Sequence, residues 1–496
     1  MPGLRVIADV ASAPQARLKP DIIGLGGLTA LVIGVTSPAI GLYACWGPIE
    51  AAAGPIAPLV FLAALAITLP TALSYASLNH HAPSAAATAS WLWRTVGPAT
   101  GLLAGLVMVT YFTMGAVTVP LLAGLFLRDL LDWLHAPIEP SAAVAIGIVV
   151  QSAVVGWICL RGAEASVKTT IRLMVMEAAV VLALSATILW VKAGQPGGVT
   201  LAPFDPSQAT AGAAGFWAAM ILGMLAFSGF DAVATAAEEA KAPRTHVPRA
   251  LFWGLAIVAL FWAANSWVLT LSTPPKTVAA YNAQGLTAIT PVASAYWGWG
   301  KLVVIATAFT GLTAIYIGCV QGASRVVFAL ARHGLLPAPL AAVRGERRVP
   351  VGAVTLVVAA CAVLALVSFA LLDDALDAFT WWSGALVFFA AIAFTGVNVA
   401  NLLYFRRIAP GRFQWLQNLA VPVVGVAANL YLVYAAFFVS LWSAPFRTGR
   451  SVVLGCLALL ALQIIAVAWM RLRRSDLLRA DAPIGVDVGP SPAGAP

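Results

Sequence analysis

Residues 216–251 read FWAAMILGMLAFSGFDAVATAAEEAKAPRTHVPRAL, and the prediction of the fold starts from this segment. The segment begins as an apolar helix that is long enough to reach the interior of a membrane. Ser228 and Gly229 follow, then the acid Asp231, and a charged segment begins at Glu238. A carboxylate inside a hydrocarbon slab is costly unless it faces a cavity or a partner. A helix interrupted at that depth is tolerated where its freed backbone groups line a cavity. Break and acid together predict a binding site within a membrane. The alternative is a kinked helix whose Asp231 hydrogen-bonds to a neighbouring helix.

The composition predicts a membrane protein with many spans. Hydrophobic residues make up 61% of the 496 residues, charged residues make up 9%, and the mean hydropathy is +0.92. A soluble domain carries about 25% charged residues. The five Cys lie in or beside apolar segments without CxxC spacing, so neither a disulfide framework nor a metal site is expected. The polar, basic start is followed by an apolar run long enough to span, so no cleavable signal is expected.

Twelve segments approach the roughly 20 apolar residues that a span needs. We predict a cytoplasmic N-terminal segment at 1–21, helices one to five at 22–192, helices six to ten at 213–405, helices eleven and twelve at 416–470, and a disordered cytoplasmic tail at 475–496. Most of the 28 Lys and Arg then fall on one side, which places both termini in the cytoplasm. This distribution explains the net charge of +9 without a nucleic-acid partner.

The first predicted helix carries a second interruption, at residues 34–41, which read GVTSPAIG. A proline inside a helix removes a backbone donor and clashes with the preceding turn. Interruptions at corresponding places in two halves of a chain indicate an inverted-repeat transporter with a site near the bilayer midplane. We therefore predict an all-α integral membrane protein in which helices one to five and six to ten form inverted repeats. Helices one and six are expected to be broken at the midplane.

The two breaks predict a site for a zwitterionic α-amino acid. A half-helix that starts near Ala39 points its N–H groups at an anion such as a substrate carboxylate. Open carbonyls near Val35, Leu225 and Phe227 can accept from an ammonium group. Residues of the third and tenth helices can line or gate the same pocket, although aromatic residues in membrane helices more often serve packing. The predicted substrate-binding residues are Thr36, Ser37, Ala39, Ile40, Tyr111, Leu225, Phe227, Ser228, Gly229, Phe230, Trp382 and Ser383.

Two motifs indicate a family. GFDAVATAAEEAKAPRTHVPRAL, residues 229–251, resembles the sixth helix and following loop of the amino acid–polyamine–organocation (APC) transporters, and its Gly-Phe-Asp form is most similar to the cationic amino acid branch. SRVVFALARHGLLP, residues 324–337, resembles the end of that family's eighth helix. The resemblance implies a LeuT-like 5+5 fold in the cell membrane. It also implies alternating access through rocking of helices one, two, six and seven around an amino acid or amine.

Two acids lie deep inside the predicted spans, Asp231 and Glu177. In some proton-coupled relatives a lysine at about the place of Glu177 occupies the space of a sodium ion. A buried glutamate can exchange a proton near neutral pH. It can also ligate a cation, or stay protonated and hydrogen-bonded between helices. We predict that Glu177 and Asp231 couple transport to a proton or gate the site. No cofactor and no metal are expected.

The predicted function is secondary active transport of amino acids, by proton symport or by exchange. The chain has no phosphate-binding Gly loop, no HExxH and no GxSxG, so an enzyme is not expected. A polyamine or amino-alcohol antiporter is the nearer alternative, because Pro38 leaves fewer backbone donors for a carboxylate. A sensor that binds ligand without transporting it is the second alternative. Its usual mark, a folded cytoplasmic domain, is not evident. The oligomeric state stays open.

Overall fold

The structure is a computed structural model that describes residues 18–283, 288–345, 348–372, 375–442, 449–473 and 478. Most of the predicted N-terminal segment (1–21) lies outside these described residues. The predicted tail (475–496) also lies outside them, apart from Leu478.

Over the described ranges, twelve helices are long and apolar enough to cross a membrane, which confirms the predicted number. They are α1 (Leu25–Tyr43), α2 (Ala57–His81), α3 (Pro98–Trp133), α4 (Pro140–Leu160), α5 (Ala163–Ala193), α6 (Gly212–Thr235), α7 (Pro243–Ser272), α8 (Ile289–Arg332), α9 (Val351–Leu372), α10 (Ala375–Arg407), α11 (Leu416–Leu441) and α12 (Gly449–Arg473). Short helices at Trp46–Ala53, Thr88–Thr95 and Pro275–Ala283 lie between them. The described part of the chain contains no β-strand, only two isolated bridges.

Helix α1 is interrupted where the proline lies. Its regular part ends at Thr36 and resumes at Ile40, and Ser37 between them has φ +48°. The indole N–H of Trp262 in α7 donates to the carbonyl of Pro38 at 3.2 Å. The break is therefore held by a side chain of a neighbouring helix, which satisfies a carbonyl that the helix itself has released.

Helix α6 is interrupted between Phe227 and Ala232. Gly229 has φ +100°, and a Cβ atom built on it would lie 2.4 Å from Cγ1 of Val35. Both the backbone conformation and the lack of space therefore require glycine here. Since Val35 belongs to α1, this contact brings the two breaks against each other.

The helices form an inner group and an outer group. Helix α3 packs against α4, α8 and α10, and most of its side chains are buried. Helices α9 and α12 expose large apolar side chains, such as Leu371 at 77% and Leu472 at 82%. This exposure is the pattern of helices that face a hydrocarbon solvent, since water-facing helices carry polar surfaces.

One end of the helix bundle is closed by backbone bonds and ion pairs. The N–H groups of Ile22 and Ile23 both donate to the carbonyl of Glu239 at 3.0 Å. The Glu239 carboxylate pairs with Arg325 at 2.5 Å, and Glu238 pairs with Arg332 at 2.9 Å. These contacts join the segment before α1, the segment after α6 and the end of α8.

Candidate substrate site at the two helix breaks

A small cavity lies between the two breaks and helices α3, α8 and α10. Its volume is about 60 Å³, well below the roughly 300–1,000 Å³ of typical small-molecule pockets. Six predicted site residues line it, namely Thr36, Ile40, Tyr111, Leu225, Ser228 and Gly229. The structure thus brings residues from α1, α3 and α6 together around one space, which we call the central cavity.

The central cavity is apolar and its lining contains no charged side chain. Its other walls come from residues such as Phe112, Val119, Leu312, Phe379 and Leu386. The few hydroxyls at the breaks are already engaged. Thr36 Oγ1 donates to the carbonyls of Val32 and Ile33 at 3.1 Å, and Ser228 Oγ donates to the carbonyl of Met224 at 2.7 Å.

The Asp231 carboxylate does not line the central cavity. It is fully buried and accepts hydrogen bonds from Tyr111 Oη at 2.8 Å and from Tyr75 Oη at 3.2 Å. The Tyr111 hydroxyl in turn accepts from the Gly229 N–H at 2.5 Å. Tyr111 therefore lies between the cavity and the acid, and it links the break in α6 to α3. This arrangement matches the alternative in which Asp231 bonds to neighbouring helices.

Sequence reasoning missed Tyr75, which provides the second hydrogen bond to Asp231. It lies in α2, 156 residues before its partner, and it is fully buried. A tyrosine in an apolar helix has no feature in the sequence that separates packing from hydrogen bonding. Only the packing of α2 against α6 identifies it.

The Glu177 carboxylate lies at the break in α1. Its Oε2 accepts from the Ser37 hydroxyl at 2.5 Å and from the Ala39 N–H at 3.4 Å. Its Oε1 is buried and has no hydrogen-bond partner in the described part of the chain. The close approach of α8 depends on Gly311, because a Cβ atom there would lie 3.0 Å from Oε2. Among the described residues Glu177 forms no ion pair.

The N–H groups where α1 resumes after its break are engaged by protein atoms. Ala39 donates to Glu177, Ile40 donates to Ser37 Oγ at 3.1 Å, and Gly41 donates to the Ser37 carbonyl at 3.1 Å. Ser37 and Ala39 do not line the central cavity. An anion can bind at this helix start only after one of these internal acceptors has moved away.

The four other predicted residues lie outside the central cavity. Phe227 packs on Trp262 with ring centroids 4.9 Å apart, and Phe230 packs on Phe394 at 5.2 Å. Trp382 packs on Trp381 at 5.0 Å. Ser383 lies in the wall of a second cavity, beyond the central one.

Phe379 is a further residue that the sequence did not single out. It lies one turn before Ser383 in α10 and lines both the central cavity and the second cavity. Among the described residues, no group of three or more His, Cys, Asp or Glu side chains is placed to hold a metal ion.

Comparison with known proteins covers most of the chain. The amino acid permease family matches residues 23–462. The branched-chain amino acid permease BcaP of Bacillus subtilis strain 168 is 25% identical over 357 residues, which are 68% of this chain and 73% of the relative. BcaP of Lactococcus lactis subsp. cremoris strain MG1363 is 28% identical over 346 residues, 66% of this chain and 72% of the relative.

A plant protein shows a similar level of identity. The mitochondrial cationic amino acid transporter 3 of Arabidopsis thaliana is 27% identical over 361 residues, 68% of this chain and 56% of the relative. The predicted resemblance to APC transporters is thus confirmed. With twelve apolar helices and a family match over most of its length, the chain is a multi-pass membrane transporter rather than an enzyme, and it belongs to the amino acid permease family of the APC superfamily.

Proposed function

We propose that this permease moves neutral amino acids with apolar side chains across the cell membrane, by alternating access and together with a proton. The observation that supports the choice of substrate is the central cavity, whose lining carries no charged side chain. A cationic side chain would lose its hydration there without gaining a carboxylate, at a cost of several kcal/mol. Two relatives named as branched-chain amino acid permeases are in line with this choice.

The substrate's ammonium group would bind at the open carbonyl ends of the two breaks. The last carbonyls of a helix lack intrahelical partners. The first part of α1 ends at Thr36, and the first part of α6 ends at Phe227. Both ends border the central cavity through Val35, Thr36 and Ala226. The carbonyl oxygens at these ends can accept hydrogen bonds from an ammonium group, so the site needs no carboxylate side chain to bind it.

Proton coupling would follow if Glu177 and the substrate carboxylate compete for the donors where α1 resumes after its break. The Glu177 carboxylate accepts hydrogen bonds from the Ala39 N–H and the Ser37 hydroxyl. A substrate carboxylate would need the same donors, so it would compete with ionised Glu177 for this positive helix end. Two carboxylates at this helix end would repel each other, because like charges in one site disfavour the ionised forms. A proton held at the unpartnered Oε1 of Glu177 would weaken its hold on these donors and admit the substrate carboxylate. Proton and amino acid would therefore bind together.

The proposed orientation places both termini in the cytoplasm, since most basic residues lie in the loops of that side. The ion pairs Glu239–Arg325 and Glu238–Arg332 then close the cytoplasmic end. The second cavity lies towards the opposite end, so this conformation would face outward. The apolar side chains exposed on α9 and α12 would contact lipid.

The substrate class is tested by uptake into proteoliposomes that contain the full-length protein. We expect unlabelled leucine, valine and isoleucine to compete with labelled leucine, and lysine, putrescine and ethanolamine not to compete. A matched pair of variants sharpens the test. Leu225→Asp places a carboxylate in the central cavity and should shift preference towards lysine at least tenfold, whereas Leu225→Asn should not. Uptake of lysine or putrescine by the wild-type protein, with none of leucine, would refute the proposal.

The coupling is tested with Glu177→Gln, which keeps an acceptor for Ser37 but cannot lose a proton. We expect this variant to exchange leucine across the membrane yet to lose accumulation driven by an inward proton gradient. Glu164→Gln, at an exposed glutamate of the same helix, serves as the control. Gradient-driven accumulation by Glu177→Gln equal to that of the wild type would remove Glu177 from the coupling.

A further inference from the structure

Seven polar side chains form a hydrogen-bonded cluster between α2, α10 and α11, which we call the amide cluster. Its members are Thr71, Ser74 and Ser77 of α2, Asn398 and Asn401 of α10, and Asn418 and Asn429 of α11. Six of them are buried, and Ser77 is half-buried. None of the seven lines the central cavity or the second cavity, so the cluster makes no contact with a molecule held in either.

The amide cluster bonds α2 to both of its neighbours. Asn398 accepts from the Ser74 hydroxyl at 2.8 Å and donates to the Thr71 hydroxyl at 2.9 Å. Asn401 of the same helix donates to Ser74 at 3.1 Å. Asn429 of α11 donates to Thr71 at 3.2 Å. Inside a membrane no water replaces a lost partner, so these bonds fix where α2 lies against α10 and α11.

A proline lies inside α2 directly before the cluster. Pro70 provides no backbone N–H, and its ring crowds the preceding turn, so the helix can bend at this point. Backbone hydrogen bonds alone therefore do not fix the direction of the part of α2 that follows Pro70. Thr71 and Ser74 lie on that part, and their bonds to the amides provide the missing constraint.

The same part of α2 carries Tyr75, which donates to Asp231 at 3.2 Å. Tyr75 directly follows Ser74, so one turn of α2 is bonded both to α10 and to the break in α6. The Tyr75 ring also packs on Phe394 of α10, with ring centroids 6.5 Å apart. Phe394 lies one turn before Asn398. Whatever fixes Ser74 therefore also fixes the phenol that holds the Asp231 carboxylate.

We propose that the amide cluster aligns the part of α2 after Pro70 and thereby holds Tyr75 at Asp231. Ser74 and Asn398 are then positioning residues for the candidate substrate site, and they act through Tyr75 without contact with the substrate. The cluster and the Tyr75–Asp231 bond do not depend on which molecule is transported. The proposal rests on the proposed function only for the choice of leucine in the uptake assay.

The first experiment is a double-mutant cycle on the purified full-length protein in detergent. The changes in Tm caused by Tyr75→Phe and by Asp231→Ala are measured singly and together, in the wild type and in Asn398→Leu. In the wild type we expect the combined loss to be smaller than the sum of the single losses by roughly 2 °C or more, because both changes remove one shared hydrogen bond. In Asn398→Leu the two losses should add, because Tyr75 no longer lies at Asp231.

Asn265→Leu is the matched control. Asn265 of α7 accepts from the Ser185 hydroxyl at 2.6 Å and donates to the carbonyl four residues before it at 2.7 Å, as Asn398 does. This variant should leave the non-additivity intact. Ser74→Ala breaks the bond to Asn398 from the other side with a smaller change in volume, and it should act as Asn398→Leu does. Non-additivity that persists in both Ser74→Ala and Asn398→Leu would overturn the proposal, as would its absence from the wild type.

Leucine uptake into proteoliposomes provides the functional readout. We expect Ser74→Ala and Asn398→Leu to lower the maximum rate about fivefold or more, the effect of one lost hydrogen bond, and to alter its pH dependence as Asp231→Asn does. Uptake with the rate and pH curve of the wild type in both variants would overturn the positioning role. A wild-type protein that transports no leucine would refute the proposed function, and the thermal cycle would still decide whether the cluster positions Tyr75.

Discussion

At the scale of single residues, Asp231 carries a carboxylate that two tyrosines of other helices hold in place. Its partners Tyr75 and Tyr111 lie on α2 and α3, and Tyr111 also accepts from the Gly229 N–H at the break in α6. We therefore expect a change at Asp231 to act on the cavity wall through Tyr111, since Asp231 itself does not line the cavity. In this interpretation Asp231 is a positioning residue.

We predict that Asp231→Asn lowers leucine uptake and alters its pH dependence while the protein stays folded. The amide accepts from only one tyrosine in the native geometry, and it cannot exchange a proton. Initial uptake rates between pH 5.5 and 7.5 check this, with thermal unfolding as the folding control. Asp205→Asn, at an exposed aspartate of the loop after α5, should change neither. A pH–rate curve identical to that of the wild type would remove Asp231 from this role.

Glu50 is another buried acid, and the sequence analysis did not single it out. It lies in the short helix Trp46–Ala53 and is 2% exposed. Its Oε1 accepts from Trp46 Nε1 at 3.2 Å and from the Thr270 hydroxyl. Its Oε2 has no hydrogen-bond partner within the residues that the structure describes. Burial raises the pKa of Glu50 to about 8, which the hydrogen bonds from Thr270 and Trp46 offset only in part. The folded protein therefore favours the protonated form of this group more strongly than the unfolded chain does.

We predict that Glu50→Gln stabilises the protein more at pH 8 than at pH 5. The pKa of the folded protein lies above that of the unfolded chain, so the contribution of Glu50 to stability is full below the unfolded value and declines as the pH rises towards 8. Glutamine keeps the acceptor for Trp46 and Thr270 and has no such decline. Thermal unfolding in detergent at the two pH values measures the difference. An equal shift in Tm at both would contradict the assignment, and Glu164→Gln provides the exposed control.

At the scale of elements, the contact between the breaks of α1 and α6 depends on Gly229. We predict that Gly229→Ala abolishes leucine binding while the protein still inserts into the membrane. Its φ of +100° disfavours any Cβ atom, and the added atom would overlap Val35 at 2.4 Å. Ligand-induced thermal stabilisation is the measurement. Gly26→Ala is the matched control, because a Cβ atom at this helical position of α1 meets no atom within 4 Å. Binding by Gly229→Ala at wild-type affinity would show that the contact is dispensable.

At the scale of the whole molecule, the buried pair Glu239–Arg325 closes one end. Their side chains are 7% and 3% exposed, and removal of one partner from such a pair typically costs about 3–5 kcal/mol. We predict that Glu239→Gln opens this end. The variant should raise the labelling of Cys319, which lines the central cavity, by a membrane-impermeant thiol reagent supplied on the side that we propose to be cytoplasmic. Cys159, buried outside the cavity, should stay unlabelled. Equal labelling of Cys319 in wild type and variant would indicate that the pair does not gate access.

Local patterns in the chain are sufficient to predict the membrane class, the twelve helices and the family. These properties follow from local patterns, since apolar runs of sufficient length, a proline or a Ser-Gly pair within a run, and contiguous motifs can be read without knowing which helices touch. The positions of both interruptions, near Pro38 and near Gly229, follow for the same reason. The inverted repeat, the proton coupling and the substrate class remain predictions.

The directions in which the candidate site side chains face depend on the tertiary structure. Glu177 reaches Ser37 across 140 residues and Asp231 reaches Tyr75 across 156, and no local pattern specifies such pairs. The same packing turned Asp231 away from the central cavity, placed Ser383 in the wall of a second cavity and made Phe379 line both cavities. In an apolar helix every face is hydrophobic, so periodicity cannot distinguish the face that meets a cavity from the face that meets another helix or lipid. Close packing of distant segments makes that choice.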